Sequence, residues 1–350
     1  MTNNRQEDVE AQKSSPLLSN QSKKLSEQSS TLMPKSFSEC SSECLSRNSS
    51  GNSSGNSSGN RLYLGVGLMA LAMIVVPGMD GIAKYLSTNH STSQIVWSRY
   101  VFMTVLLLPF ILVRYRHEVL RPKSPTRQGL RGLLIIASNF LFFWALAYLP
   151  IADALALLFV YPLAITVMSG LILKEKVGPR RYAAVVVGFL GVLLVLKPEA
   201  GNISTPALLA IAAGILHGGY IVLTRSIAHE TPAIVTLFYT GIVGTLVMSV
   251  FVPFYWTVPT ADSWLWMIAL GLCSGLGHFL LTKACALAPA SILAPLGYVE
   301  IISGTLIGYF IFGDFPDLLT WAGIAVICGS GLFIVLREAQ LKKRELKKSY

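Results

Sequence analysis

The stretch YVEIISGTLIGYFIFGDFPD, from Tyr298 to Asp317, is nearly all apolar, yet Glu300 stands three residues into it with no basic residue alongside. Arg99 raises the same question inside the run that holds WSRY, and Asn139, His217 and His278 are further polar groups in apolar surroundings. An ionised group at the centre of an apolar helix in a bilayer costs on the order of 2.5–3.5 kcal/mol. Groups retained against that cost can bind an ion or a charged solute, or pass a proton. A guanidinium is permanently charged and suits a carboxylate or phosphate. An imidazole titrates near neutral pH.

Each residue has a plainer reading beside the chemical one. Glu300 is a proton carrier, or a counter-charge to a cationic solute or to Arg99, or else a buried structural partner of Arg99 or of helix-end amides. Arg99 holds an anionic solute group or only pairs with Glu300. His217, followed by Gly218, Gly219 and Tyr220, is a relay group or a hydrogen-bonded core histidine. Asn139, Tyr161, Tyr220, His278, Tyr298 and Trp144 are expected to border a cavity. Glu300, Gly304 and Gly308 recur every four residues and share one helix face, small enough for a neighbouring backbone to approach closely. Tyr298, Thr305 and Tyr309 form a strip beside it. Asp80 and Lys84, also four apart, read as a solvated local pair, and Pro162 is expected to open the backbone hydrogen bonding of its helix.

The elements that must position these residues follow from composition. Of 350 residues, 53% are apolar and 13% charged, about half the charged share of a soluble protein. The charges crowd into the first 61 residues, short loops and the last 14. Between them run ten apolar stretches, at 62–83, 92–113, 132–149, 151–173, 182–197, 206–224, 232–255, 264–283, 291–312 and 319–336. Runs of this length cross a ~30 Å hydrocarbon core as helix, so the expected fold is an all-α membrane protein of ten transmembrane helices. Residues 1–60, ending in NSSGNSSGNSSGN, read as a disordered cytosolic tail. Residues 338–350 read as a basic cytosolic tail.

With both termini in the cytosol, eighteen cations fall on inner loops, helix ends and the C-terminal tail. They are Arg114, Arg116, Arg121, Lys123, Arg127, Arg131, Lys174, Lys176, Arg180, Arg181, Arg225, Lys283, Arg337, Lys342, Lys343, Arg344, Lys347 and Lys348, against Lys84 and Lys197 outside. That asymmetry is the positive-inside bias. The net charge of +10 then reflects loops facing an anionic leaflet and requires no nucleic-acid partner. Cys40 and Cys44 in the tail and Cys273, Cys285 and Cys328 near apolar runs form neither a disulfide framework nor a metal spacing. The sequence leaves plasma and organelle membranes both open.

The fourth and fifth runs resemble the ninth and tenth. Pro150 answers Pro289, Glu175 answers Asp314, and, after one extra residue, Gly191 answers Gly331 and Lys197 answers Arg337. The unit is five helices, 61–200, repeated as 201–337. An odd number of crossings inverts the second copy, a recurrent device of secondary transporters that rock about a midplane site.

The chain resembles the drug/metabolite transporter superfamily, in its EamA-type branch of ten-helix transporters. The resemblance rests on WSRY (Trp97 to Tyr100), Glu175, ALAPASILAPLGYVEIISGTLIGYFIFGDFPD (Ala286 to Asp317) and WAGIAVICGSGLFIVLRE (Trp321 to Glu338). It is also similar to the G-branch of solute carrier family 35. It implies transport of a small organic metabolite through a central cavity, with no cofactor; a coupling proton and a homodimer complete the expected partners. The alternatives are a nucleotide-sugar or phosphorylated-sugar antiporter, which wants more cavity cations than Arg99 supplies, and a channel or structural membrane partner. No HExxH, no GxSxG within the apolar runs, no paired intramembrane aspartates and no Cys–His set points to an enzyme, and no GxxxxGK[ST] loop points to ATP.

Overall fold

The computed structural model describes residues 55–115, 124–172, 179–197, 204–227, 231–288 and 293–348. The described residues are helical throughout, joined by short turns. Eleven α-helices are α1 (Gly55–Leu86), α2 (Thr92–Arg114), α3 (Pro125–Leu146), α4 (Ile151–Leu158), α5 (Tyr161–Ile172), α6 (Pro179–Leu196), α7 (Thr205–Ile227), α8 (Ala233–Phe251), α9 (Ala261–Leu287), α10 (Val299–Ile307) and α11 (Leu318–Lys348). Among the described residues seven helical stretches are long and apolar enough to cross a membrane, and three shorter apolar ones lie at Tyr182–Leu196, Leu296–Phe312 and Leu318–Ile334.

Helix starts follow local chemistry. The Ser91 side chain accepts from the Gln94 amide at 3.3 Å and Thr260 from that of Ser263 at 3.2 Å, each satisfying an amide the helix cannot. Pro125 opens α3, where its missing N–H costs nothing. Three expected boundaries move. α1 begins at Gly55, inside the segment read as disordered, because extending an existing helix is far easier than nucleating one. α3 begins at Pro125 rather than 132 and so takes Gln128 and Arg131, a residue counted as an inner-loop cation, into a buried helical turn. α11 runs on to Lys348, through most of the expected C-terminal tail.

The fourth crossing is broken. α4 ends at Leu158 and α5 restarts at Tyr161, where Pro162 has no N–H to return to the Leu158 carbonyl. The apolar stretch Leu296–Phe312 is irregular too: a 3-10 turn over Ala294–Tyr298 leads into α10, and a π-helical turn over Gly308–Phe312 leaves it. α1 packs on α9 and α10, α3 on α7 and α8, α2 on α8 and α9, α6 on α11, and α4 on α7 and α10. The apolar core runs through these contacts, from Met79 and Ile95 through Leu155 and Phe159 to Ile301 and Ile327.

One end of the bundle is closed by polar contacts. Lys84 Nζ donates to the Leu149 carbonyl at 2.7 Å and pairs with Asp314 Oδ2 at 2.8 Å; Lys197 pairs with Asp317 Oδ1 at 2.8 Å. Asp153 feels Lys197, Asp317 and Asp314, which makes the two pairs one cluster. The Lys197 hydrogen bond and the Thr320 amide, which Asp317 caps at 2.9 Å, hold the Asp317 carboxyl down at about 2. In the neighbouring turn, His90 Nδ1 lies 2.7 Å from Thr257 Oγ1, and burial lowers that imidazole's pKa. The expected Asp80–Lys84 pair is therefore absent. Lys84 reaches across to the turns at Leu149 and Asp314, while Asp80, 2% exposed, is inside the bundle.

Candidate functional site

The polar residues converge from seven elements. Asp80 on α1, Arg99 on α2, Asn139 on α3, Tyr161 on α5, His217 and Tyr220 on α7 and His278 on α9 surround a region that Glu300 enters at the start of α10. Arg99 is buried. Its Nε donates to Ser274 Oγ at 3.1 Å, and its guanidinium lies 5.4 Å from the Phe143 ring and 5.8 Å from the Tyr100 ring. Asn139 Nδ2 donates to the Tyr100 hydroxyl at 2.6 Å, fixing the ring on which Arg99 rests.

The acidic group in the field of Arg99 is Asp80, not Glu300. Among the described residues no Arg99–Glu300 ion pair forms, so of the alternatives for these two residues the structure does not show the direct pairing. Glu300, half-buried, has instead the like-charged Asp80 and the Tyr161 hydroxyl as its electrostatic neighbours. Arg99 also acts on His217 and His278.

Rings line the same region. Tyr161 lies 5.1 Å from His217, and His217 lies 5.6 Å from Tyr220. Phe159, in the break between α4 and α5, stands 5.3 Å from Tyr161 and 5.7 Å from Tyr298. Two glycines permit this approach. A Cβ on Gly218 would come within 2.9 Å of Ala164 and 3.2 Å of the Tyr161 carbonyl, so only glycine lets α7 bring His217 against α5. A Cβ on Gly304 would overlap Leu155, so the small face of α10 seats on α4 and carries Glu300 inward with it.

Other expected residues are not brought in. Trp144 is 43% exposed and stacks on Phe140 at 5.9 Å. Thr305 is buried and bonds its own helix at the Ile301 carbonyl, while Tyr309 is half exposed among Phe310 and Phe315. Glu175, Cys40 and Cys44 lie outside the described residues. An open apolar groove between α6 and α11, lined by Val187, Ser330 and Phe333, holds none of this chemistry.

Two residues of the bundle escape a reading by spacing. Spacing alone assigns Asp80 to Lys84; the signal against it is that α1 continues for six further residues, to Leu86, placing Asp80 inside the helix rather than at its end. Position between apolar runs assigns Arg131 to a loop; the signal against it is the run of leucines around it, GLRGLL. Among the described residues no cluster of histidine, cysteine or acid could hold a metal ion.

The profile of the EamA-like transporter family matches this sequence twice, over residues 63–197 and again over 204–336. The chain belongs to the EamA-like transporter family. It is an integral membrane transporter and not an enzyme. Similar curated proteins include an S-adenosylmethionine uptake transporter of Rickettsia bellii (strain RML369-C), 29% identical over 81% of this chain and 97% of its own. A riboflavin transporter of Vibrio cholerae serotype O1 is 29% identical over 76% of this chain and 91% of its own. An uncharacterized transporter of Helicobacter pylori (strain J99 / ATCC 700824) is 31% identical over 82% of this chain and 98% of its own. A crystal structure only 20% identical, over 78% of this chain and 97% of its own, shares the fold at a TM-score of 0.56.

Proposed function

We propose that this EamA transporter is a secondary carrier of a small organic metabolite bearing a planar ring. It works by alternating access between two inverted five-helix repeats, residues 61–200 and 201–337, with ten crossings and both termini cytosolic. The observation that carries this reading is the packing pattern. Exchanging α1 with α7, α2 with α8, α3 with α9, α4 and α5 with α10, and α6 with α11 maps the larger helix–helix contacts onto one another. The α1–α9 pair becomes α7–α3, α2–α9 becomes α8–α3, and α1–α10 becomes α7–α5, while α2–α8, α4–α10 and α6–α11 are self-paired. Under the alignment of Pro150 with Pro289, Tyr161 answers Glu300, so the two neighbouring polar groups sit at the junction of the halves. Broken or irregular helices at that junction are what alternating-access carriers place around substrate.

The neighbouring, mutually tilted rings of Tyr161, His217 and Tyr220 supply aromatic faces and edges for a flat ring. The two named substrates of the relatives, S-adenosylmethionine and riboflavin, each contain a fused nitrogen heterocycle. Asp80 and Glu300 are the acids a coupling proton would use, and Arg99 is the fixed charge between the helices of both halves. The tandem motifs support our reading of a similarity to the G-branch of solute carrier family 35.

Reconstituted uptake against a metabolite library, with and without a proton gradient, tests this. Glu300→Gln is expected to lose gradient-driven accumulation while still expressing and exchanging substrate. Uptake by that variant equal to the parent at every pH would remove the proton role. Absence of uptake for every ring-bearing compound, with ring-free metabolites accumulated, would overturn the substrate class.

A further inference from the structure

Arg131 is 1% exposed and is among the largest fully buried side chains of the molecule. Its Nη2 donates to the Thr236 carbonyl at 3.1 Å and to the Thr240 hydroxyl, both on α8, and its guanidinium covers the Tyr220 ring at 5.0 Å. Nε and Nη1 meet no acceptor among the described residues. The titratable groups it acts on are the phenols of Tyr220 and Tyr100 and the imidazole of His278, none of them a carboxylate. Arg99 differs, since Asp80 lies in its field. A buried guanidinium with two nitrogens unmatched and no carboxylate opposite is an expensive way to pack a helix, because desolvation of the charge is uncompensated.

Tyr220, the ring beneath Arg131, continues through His217 and Tyr161 to the side of Glu300. A molecule lying along those rings would meet a cation at one end and carboxylates at the other. We propose that Arg131 is an anion-binding arginine of the transport pathway, taking a carboxylate or phosphate group of the substrate on its Nε and Nη1 donors. This rests on the carrier reading and adds to it a requirement that the ring-bearing solute also carry an acidic group.

The first test is chemical and needs no variant. The purified full-length protein is treated with phenylglyoxal, which modifies arginines, and labelling at each arginine is read by mass spectrometry. It is run in chloride, in inorganic phosphate and in malonate. Arg131 is expected to react as the pathway opens, and phosphate or malonate at about ten times its Kd should slow that reaction about tenfold. Chloride should not, and exposed Arg114 should be slowed by none of them. Protection by phosphate alone or malonate alone identifies which acidic group is taken. Arg131 unreactive while Arg114 reacts, or reactive at one rate in every anion, overturns the proposal in favour of a packing role. As a second measurement, malonate or phosphate should raise the unfolding temperature of the parent and not of Arg131→Met; an equal rise in both also overturns it. Neither readout depends on uptake, so failure of the carrier reading shows separately, as a protected Arg131 in a protein that transports nothing.

Discussion

Lys84→Met should loosen the closed end of the bundle. The Lys84 ammonium contacts the Leu149 carbonyl at 2.7 Å and Asp314 Oδ2 at 2.8 Å, with side-chain exposures of 15% for the lysine and 33% for the aspartate. A hydrogen bond to a charged group contributes roughly 1.5–3 kcal/mol when shielded. The ion pair itself, a third open to water on the aspartate, contributes toward the low end of ~0.2–1 kcal/mol. A loss of about 2 kcal/mol multiplies the population with parted helix ends by about 30. The reporter is Ile151→Cys, fully buried, whose side chain lies against Gly308 next to the Asp314 carbonyl. In proteoliposomes, a membrane-impermeant maleimide should modify that cysteine about 30 times faster with Lys84→Met than without it, if opening is fast relative to labelling. Asp314→Asn, which keeps the Leu149 contact, should lose only about 0.3 kcal/mol and accelerate labelling less than twofold. Rates within twofold of the parent for Lys84→Met would refute the view that these contacts hold the end shut.

Gly304→Leu forces side-chain atoms into Leu155 and should cost about 1–3 kcal/mol or more, read as a lower unfolding temperature, whereas Gly329→Leu, which meets open space, should not. Asp317→Asn should change stability in a pH-dependent way. The folded carboxyl titrates at about 2 against 3.8 for an ordinary aspartate, so its contribution is complete above about 4 and is lost as pH falls through 2. Unfolding temperatures of parent and variant should therefore differ at pH 5 and converge near pH 2; a constant difference across that range would contradict the assignment.

Much of this protein follows from hydropathy and charge alone. The apolar runs announce membrane helices because only hydrogen-bonded helix satisfies the backbone without water. The two matching halves are visible because Pro150 and Pro289, and Gly191 and Gly331, recur at nearly constant spacing. Residues such as Arg99, His217 and Glu300 stand out because charge inside an apolar run is costly. Spacing within one helix cannot say which way a long side chain reaches. Lys84 leaves Asp80 for Asp314, 230 positions away, and Arg99 lies in the field of Asp80 rather than beside Glu300. Arg131 reads as a loop cation along the chain, whereas Thr236, Thr240 and Tyr220 close around it from other helices. The chain's chemistry by itself determined which groups are forced into the apolar bundle; only the packing of α1, α2, α7 and α10 on one another decided which charges meet, because electrostatic partnership is set by distance in space and not by separation along the chain.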